Sequence, residues 1–476
     1  MTEIGERNGI GASLLAAVDG DGQAILFGDA IPERNRSDWT RLPPVLPFAL
    51  ARPSSVAQVS ALLRVCHESR TPVVPQGGLT GLVGGAHPVE NCVAISLERF
   101  SGIEAIDPAG AAMTVRAGTT LAEVQSAARD AGMEFPLDLG ARGSCTIGGN
   151  LATNAGGNRV IRYGSAREQA LGLEFVLADG KVVSGLSGLV KNNTGYDLKQ
   201  LLIGSEGTLG IITRAVLRLQ PRPYGQFTAL CAVAGFDEVL GLLAACRRKL
   251  GPSLTAFEVM WPDFWDAMGS LIGVRLPLAA GNGLYVLVEM SGYDPSRDAG
   301  RFEEILAALL EAGQVRDVVI AQTGREANEF WRVREAIGEL RSKVGALTSY
   351  DIGLPSLRIG EFVTRCREHV AGRWADALNL AYGHLGDNNI HIVVHLPSFG
   401  HDQPKDEIDD IVYRLVGEFE GSISAEHGIG LSKREHLPVS RSEAELATMR
   451  LVKQALDPHG IMNPGKLLQD GGPWAD

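Results

Sequence analysis

The chain has 476 residues, 45% hydrophobic and 21% charged, enough apolar length to bury real cores and too much of it for a generally disordered protein. A formal net charge of −12 removes the basic excess that marks a nucleic-acid binder. Glycine is the outlier, with 58 residues, about one in eight where about one in fourteen is usual. No apolar run approaches the roughly 18 residues of a membrane span. Residues 1–22 carry neither the basic start and apolar core of a secretory signal nor the Arg-rich pattern of a transit peptide. The six cysteines, at 66, 92, 145, 231, 246 and 366, contain no CxxC pair and fit buried thiols in a reducing compartment, with a cytoplasmic location as the expectation.

In chain order, residues 1–46 read as an irregular lead-in. Apolar spacing predicts a helix over 56–69, a short buried strand over 72–75, a strand over 113–116 and a helix over 121–131. The stretch 171–219 is strand-rich, with strands over 172–177 and 181–183 around a turn at Asp179-Gly180. Pro221-Arg222-Pro223 marks a boundary. Beyond it, strand 227–233, helix 237–250, strands 254–261 and 284–291, helix 301–313 and strand 316–321 follow the βαββαβ order of a ferredoxin-like unit. A second round has helix 357–372, strands 378–382 and 390–396 and helix 405–417, and the end is helical over 442–456. The fold class is α+β.

The glycines cluster. Pro75-Gln76-Gly77-Gly78-Leu79-Thr80-Gly81-Leu82-Val83-Gly84-Gly85 lets successive N–H groups point at one anion, as a pyrophosphate nest requires. It is neither GxGxxG nor a P-loop. A second cluster runs from Leu139 through Gly148-Gly149-Asn150 to Gly156-Gly157-Asn158, and a third is Gly204-Ser205-Glu206-Gly207-Thr208-Leu209-Gly210. Three such segments in one domain point to backbone packed closely around one long ligand.

Of ten histidines, His67, His87, His369, His401, His436 and His459 read as surface or packing residues. Gly383-His384-Leu385-Gly386-Asp387-Asn388-Asn389-Ile390-His391 reads as a hairpin turning over 386–389. If 385 opposes 390, then His384 opposes His391, and two imidazoles either converge on one metal ion or simply bond to each other. Downstream, Ser424-Ala425-Glu426-His427-Gly428 supplies a carboxylate, and two His plus one Glu make an open three-ligand set. In an extended strand His427 would face away from Glu426, but a bend at Gly428 would turn both to one side.

These motifs, in this order, resemble the FAD-binding domain of the vanillyl-alcohol oxidase/p-cresol methylhydroxylase flavoproteins. The resemblance implies a two-subdomain FAD-binding domain over 47–222, a ferredoxin-like substrate (cap) domain over 223–424 and a C-terminal segment, 425–476, returning to the flavin. FAD would be non-covalent, since the 75–85 loop has no His and His87 lies beyond it. Pro75, Gln76, Gly77, Gly78, Leu79, Thr80 and Gly81 would meet the pyrophosphate. Pro136, Leu139, Gly140, Ala141, Ser144 and Cys145 would line the cofactor, followed by Ile147, Gly148, Gly149, Ala152, Asn154, Gly156, Gly157 and Gly164. Glu206, Gly207, Gly210, Ile211, Ile212 and the near-terminal Asn463 would complete it.

His384-x6-His391 and Glu426-His427-Gly428 are similar to the D-2-hydroxyglutarate and D-lactate dehydrogenase branch of that superfamily. The likeness implies a divalent metal, zinc by expectation, on His384, His391 and Glu426, with His427 as general base and His395 as a supporting or packing residue. Arg334 would bind the substrate carboxylate, as a guanidinium fork does well; a helix-surface charge is the plainer alternative. The implied reaction is metal-assisted deprotonation of a D-2-hydroxy acid and hydride transfer to flavin N5, giving the 2-oxo acid. Expected partners are that small hydroxy acid and an electron acceptor such as an electron-transfer flavoprotein or a quinone, with no nucleic acid, no membrane span and a homodimer as the assembly to test. The alternatives are a non-redox transferase resembling alkylglycerone-phosphate synthase and a flavin subunit of a glycolate oxidase-like complex. Where 2-hydroxyglutarate dehydrogenases usually carry Thr, Lys and Asn near the distal carboxylate, this chain has Gly338, Ser349 and Val393, with Arg332, Arg341 and Lys343 nearby in sequence.

Overall fold

The computed structural model describes residues 3–40 and 42–469, and these divide into two compact units. The first unit comprises the chain up to 157, residues 164–222 and the chain from 426 onward. Its strands β1 (Ile25–Phe27), β2 (Ala49–Ala51), β3 (Val73–Gln76) and β4 (Val93–Ser96) form one sheet in the order β1-β2-β4-β3. Strands β2 and β3 run parallel to β4, and the helix Val56–Ser69 links β2 to β3. That helix begins where the Ser55 hydroxyl accepts the Gln58 N–H, and Val59, Leu62, Leu63 and Cys66 bury its apolar stripe.

The same unit holds β5 (Ile103–Asp107), β6 (Ala112–Arg116), the short β7 (Met133–Glu134), β8 (Ala170–Val176), β9 (Val182–Gly185), β10 (Ile211–Arg218) and β11 (Gln220–Pro221). They form an antiparallel sheet, β5-β6-β10-β8-β9, and a small β7/β11 pair. One apolar cluster runs under both larger sheets. The lead-in is not irregular: a helix, Glu3–Ala17, and β1 occupy it, because Leu14 and Val18 bury fully in that cluster while Ile10 and Leu15 pack on it. The far end of the chain returns to this unit too. Met462 forms a parallel bridge with Val73, and the Asn463 N–H donates to the Val73 carbonyl at 2.7 Å.

The second unit is residues 158–163 and 223–425. Its strands are β12 (Gly225–Val233), β13 (Leu254–Met260), β14 (Leu284–Gly292), β15 (Asp317–Ile320), β16 (Thr348–Gly353), β17 (Leu378–His384) and β18 (Asn389–His395), in the order β15-β12-β14-β13-β17-β18-β16, every pairing antiparallel. The first four strands are a complete ferredoxin-like βαββαβ module with its expected order. The next three repeat it: β16, the helix Ile359–Arg373, β17, β18 and the helix Lys405–Glu418. The fourth strand of the repeat is reduced to one antiparallel bridge, Ser422 to Gly353 on β16. The short segment 158–163 lies against this sheet, with Ile161 over Gly386 and the Arg162 guanidinium donating to the Ser291 carbonyl at 3.1 Å.

The β17–β18 register differs from the sequence expectation. His384 opposes Asn389 and His391 opposes Tyr382, because the connecting loop is Leu385–Asn388, with Asn388 at φ 69° closing it. The two histidines still share a face, since each stays an even number of residues from the other's partner. Trp265 stacks on Tyr285 with ring centroids 4.0 Å apart under that sheet, both fully buried. Trp265→Ala is expected to cost about 3–5 kcal/mol, read as a lower denaturation midpoint by calorimetry.

Candidate functional site

Two cavities of about 780 and 360 Å³ in the first unit share Gly77, Gly78, Leu79, Thr80 and Thr146 in their walls. Small residues are needed here for close packing: a Cβ on Gly78 would lie 2.0 Å from the Ser144 carbonyl oxygen. Gly140 faces the other way, into the cavity, where a Cβ would meet nothing within 4 Å. A trough floored by loop backbone and kept open at Gly140 fits an extended dinucleotide.

The smaller cavity is walled by the expected 75–81 loop, by Leu139, Gly140, Ala141, Cys145, Gly148, Gly149, Ala152 and Gly156, and by Glu206, Gly207, Gly210, Ile211 and Ile212. Ser144 lines the larger one. Pro136, Ile147, Asn154, Gly157, Gly164 and Asn463 line neither, and for most of them a structural task is visible. Ile147 is core. The Asn154 carboxamide oxygen accepts from the Ser165 hydroxyl and the Arg167 N–H. Gly157 passes the Asp138 carbonyl so closely that a Cβ would lie 1.9 Å from its oxygen. Leu82, Val83, Ala86, Leu97 and Thr153 also line the smaller cavity without a sequence signal beyond their place beside the glycine runs. His87 is buried rather than exposed, at 5%, and burial pushes its pKa down.

Glu426 and His427 line the same cavity. What presents them is Glu206, which accepts the N–H groups of Ile429 at 2.7 Å and Gly430 at 2.8 Å. Gly428, at φ 84°, makes the bend that the sequence suggested, and a Cβ there would lie 2.9 Å from a Glu206 carboxylate oxygen. Burial raises the Glu206 pKa, opposed by those two N–H groups and by Lys433. Asn463 ties the arrangement down, its Nδ2 donating to the Gly85 and Glu206 carbonyls.

In the second unit, β13, β17, β18 and β16 bring Glu258, His384, Asn389 and Gly353 into one cross-strand row, with Met260, Tyr382, His391 and Asp351 in the next. The His384 and His391 ring centroids are 5.3 Å apart. Glu258 lies 2.7 Å from His384 Nδ1 and accepts from Arg334 Nε at 2.8 Å, while Arg334 Nη2 stands 3.2 Å from His384 Nε2. Burial would raise the Glu258 carboxyl, but His384 and Arg334 outweigh it and hold the pKa below the usual range. A carboxylate on Nδ1–H fixes the tautomer that keeps the Nε2 lone pair available, the arrangement metal-binding histidines use. Arg334 is thus a buried residue, 4.4 Å over the Tyr382 ring, and not a helix-surface charge. His395 Nδ1 meets the Ala346 carbonyl at 2.7 Å, a packing contact.

The family model described as "FAD binding domain" matches residues 47–185, and that described as "FAD linked oxidases, C-terminal domain" matches residues 222–467. The D-2-hydroxyglutarate dehydrogenase of Xanthomonas citri is 38% identical, with 91% of each chain covered. The mitochondrial D-2-hydroxyglutarate dehydrogenases of Arabidopsis thaliana and Bos taurus are each 40% identical, over 92% and 90% of this chain and 78% of theirs. The chain belongs to the D-2-hydroxyglutarate dehydrogenase family of FAD-linked oxidases. Its fold is also that of p-cresol methylhydroxylase (TM-score 0.77, 16% identity, 98% of each chain) and of alkyldihydroxyacetonephosphate synthase (TM-score 0.73, 16% identity, 95% of this chain and 85% of that one).

Membership of this family corrects the expected cytoplasmic location, because several of its members are named as mitochondrial. The six cysteines are free and buried, which reports only that no disulfide is needed and does not separate one reducing compartment from another. Among the described residues no helix is long and apolar enough to cross a membrane. In this FAD-linked oxidase the Glu258 pair carries a checkable consequence. Glu258→Gln leaves Arg334 charged and buried, a loss of about 3–5 kcal/mol. Because the folded pKa of Glu258 lies below the 4.5 of an unperturbed carboxyl, its stabilisation is present above that pH and fades as pH falls. Denaturation midpoints measured from pH 7 to 3 should fall in the wild type and lack that component in the variant.

Proposed function

We propose that this protein oxidises a D-2-hydroxy acid to the 2-oxo acid, with FAD held non-covalently along the glycine-walled cavity and a divalent metal, zinc by preference, on His384, His391 and Glu426. The observation that carries the reading is the position of Glu426 and His427 on the wall of the cavity built by three glycine-dense segments. The names of the relatives at 38–40% identity support the substrate class. The metal set is supported by the Nδ1 contact of His384 with Glu258, which leaves the Nε2 lone pair facing Arg334 as the ligand atom, by the neighbouring His391 ring, and by the anchoring of the residue before Glu426. The Ala425 N–H donates to the Asp351 carboxylate at 3.1 Å, and Asp351 opposes His391 across β16 and β18.

When bound, FAD supplies a two-electron acceptor and the metal a Lewis acid that lowers the pKa of a substrate hydroxyl. His427 accepts that hydroxyl proton at a ring nitrogen. Glu258 holds His384 in the neutral tautomer and fixes Arg334 over Tyr382, from where Arg334 binds the substrate carboxylate. Electrons then leave to a separate acceptor, an electron-transfer flavoprotein or a quinone.

Specificity within the class turns on the far end of the substrate. Val393 is buried beside His391 on the same face, and the exposed Ser349 opposes it across β16 and β18. With Gly338 these positions carry no charge where a second carboxylate would lie, while the relatives' names favour 2-hydroxyglutarate.

The test is anaerobic flavin bleaching with a panel of D- and L-2-hydroxy acids, with and without chelator. Reduction by D-isomers, lost on chelation with the FAD spectrum retained, is the expected result, and reduction only by L-isomers would defeat the class. His427→Asn should keep FAD and metal yet slow flavin reduction by about 10²–10⁴-fold; a wild-type rate would place the base elsewhere.

A further inference from the structure

We propose that Asn389 is a substrate-positioning residue, its side-chain amide binding an oxygen of the hydroxy acid at the two-histidine face. The inference rests on the reading of His384 and His391 as the reaction site, and adds to it a residue with no part in that reading.

Asn389 is 3% exposed, and among the described residues neither its Oδ1 nor its Nδ2 has a hydrogen-bond partner. Such groups are rare: nearly all buried polar atoms are paired, and an unpaired one calls for an explanation. The neighbours do not provide a partner. In the cross-strand row, Gly353 on one side has no side chain, and His384 on the other is engaged at Nδ1 by Glu258 and at Nε2 by Arg334. The next residue back, Asn388, gives its Oδ1 to the Ser356 hydroxyl. The Asp387 carboxylate is turned to the Asn389 backbone N–H at 3.4 Å, not to its side chain. The amide therefore stands on the face of His384 and His391, directly opposite one and two residues from the other, with both of its polar atoms uncommitted.

The chemistry of a carboxamide narrows what it would take. Nδ2 donates and Oδ1 accepts within one rigid plane. A 2-hydroxy acid offers a carboxylate oxygen to the first and a hydroxyl proton to the second. Opposed side chains in an antiparallel pair stand about 5 Å apart, so an oxygen held near His384 lies within reach of this amide. The cost of leaving the amide unpaired falls on the unliganded protein, and binding removes it.

That asymmetry gives the test. Asn389→Leu keeps the shape and removes both polar atoms, so the unliganded variant should melt at the wild-type temperature or higher. The probe is oxalate, an unreactive planar carboxylate, titrated by the perturbation of the flavin spectrum of the holoenzyme. Its Kd should weaken at least tenfold in Asn389→Leu at unchanged metal content by elemental analysis, and by less in Asn389→Ser, which keeps one hydroxyl and guards against a folding defect in the larger variant. An unchanged Kd in both variants would overturn the proposal and assign the amide to a structural water. Loss of metal in step with affinity would overturn it too, making Asn389 a support for the ligands. Wild-type protein without metal, or unable to bind oxalate, would instead defeat the reading of the two-histidine face itself.

Discussion

Glu206 is buried, with only 6% of its surface exposed, and must be answered by donors from the chain. It finds them in the backbone of the segment carrying His427. Each such hydrogen bond is worth about 0.5–1.5 kcal/mol net, and two of them hold residues more than 200 positions apart in sequence as one wall. The same residue closes the circuit through its carbonyl, which with that of Gly85 receives the Asn463 amide. The glycine-dense loops, the Glu426-His427 bend and the near-terminal Asn463 are therefore one hydrogen-bonded assembly. Removing the carboxyl would leave two buried N–H groups unanswered and release the bend.

In the second unit the comparable constraint is strand register. Successive side chains alternate faces, so a slip of one residue would send His384, His391, Glu258 and Asn389 to the opposite side together. The long apolar runs on either side hold the register. Leu380, Tyr382 and Val393 share a core with Phe264, Trp265 and Tyr285, which a slip would expose. The duplicated ferredoxin-like plan places the polar row at the seam between the two copies, where β13 of one meets β17 of the other. A seam of this kind draws groups from both copies, and the Glu258–His384–Arg334 cluster is the result.

Much of this was legible in the chain. The glycine runs lie along the cavity wall, where backbone that approaches a ligand closely leaves no room for side chains, and the chain passes from the first unit to the second between Arg222 and Pro223. The βαββαβ order read correctly because alternate apolar residues in strands and helical stripes are local signals. What was not legible depended on remote partners. The sequence of the helix Glu3–Ala17 carries Gly5, Gly9 and Gly11, poor helix formers, so only its packing reveals it as a helix with a buried side. Glu258 sits in an unremarkable apolar strand, and nothing local shows that its carboxylate will meet an arginine 76 residues later and a histidine 126 residues later. The hairpin register was misread by two positions because Asp387-Asn388-Asn389 offers several equivalent turn residues, and the left-handed one, Asn388, is selected by contacts with Ser356 and Leu354 from another strand end.

The bridge between Val73 and Met462 has a consequence for how the molecule is made. The outer edge of β3, the strand that leads into the first glycine loop, is finished by residues near the far end of the chain. During synthesis that edge stays unpaired while the whole second unit emerges and folds. Loop closure over such a separation is slow, and an open strand edge invites association with other chains. The flavin-binding half is therefore the last to be completed although it is the first to be translated, and its nascent form is the state most in need of protection by chaperones.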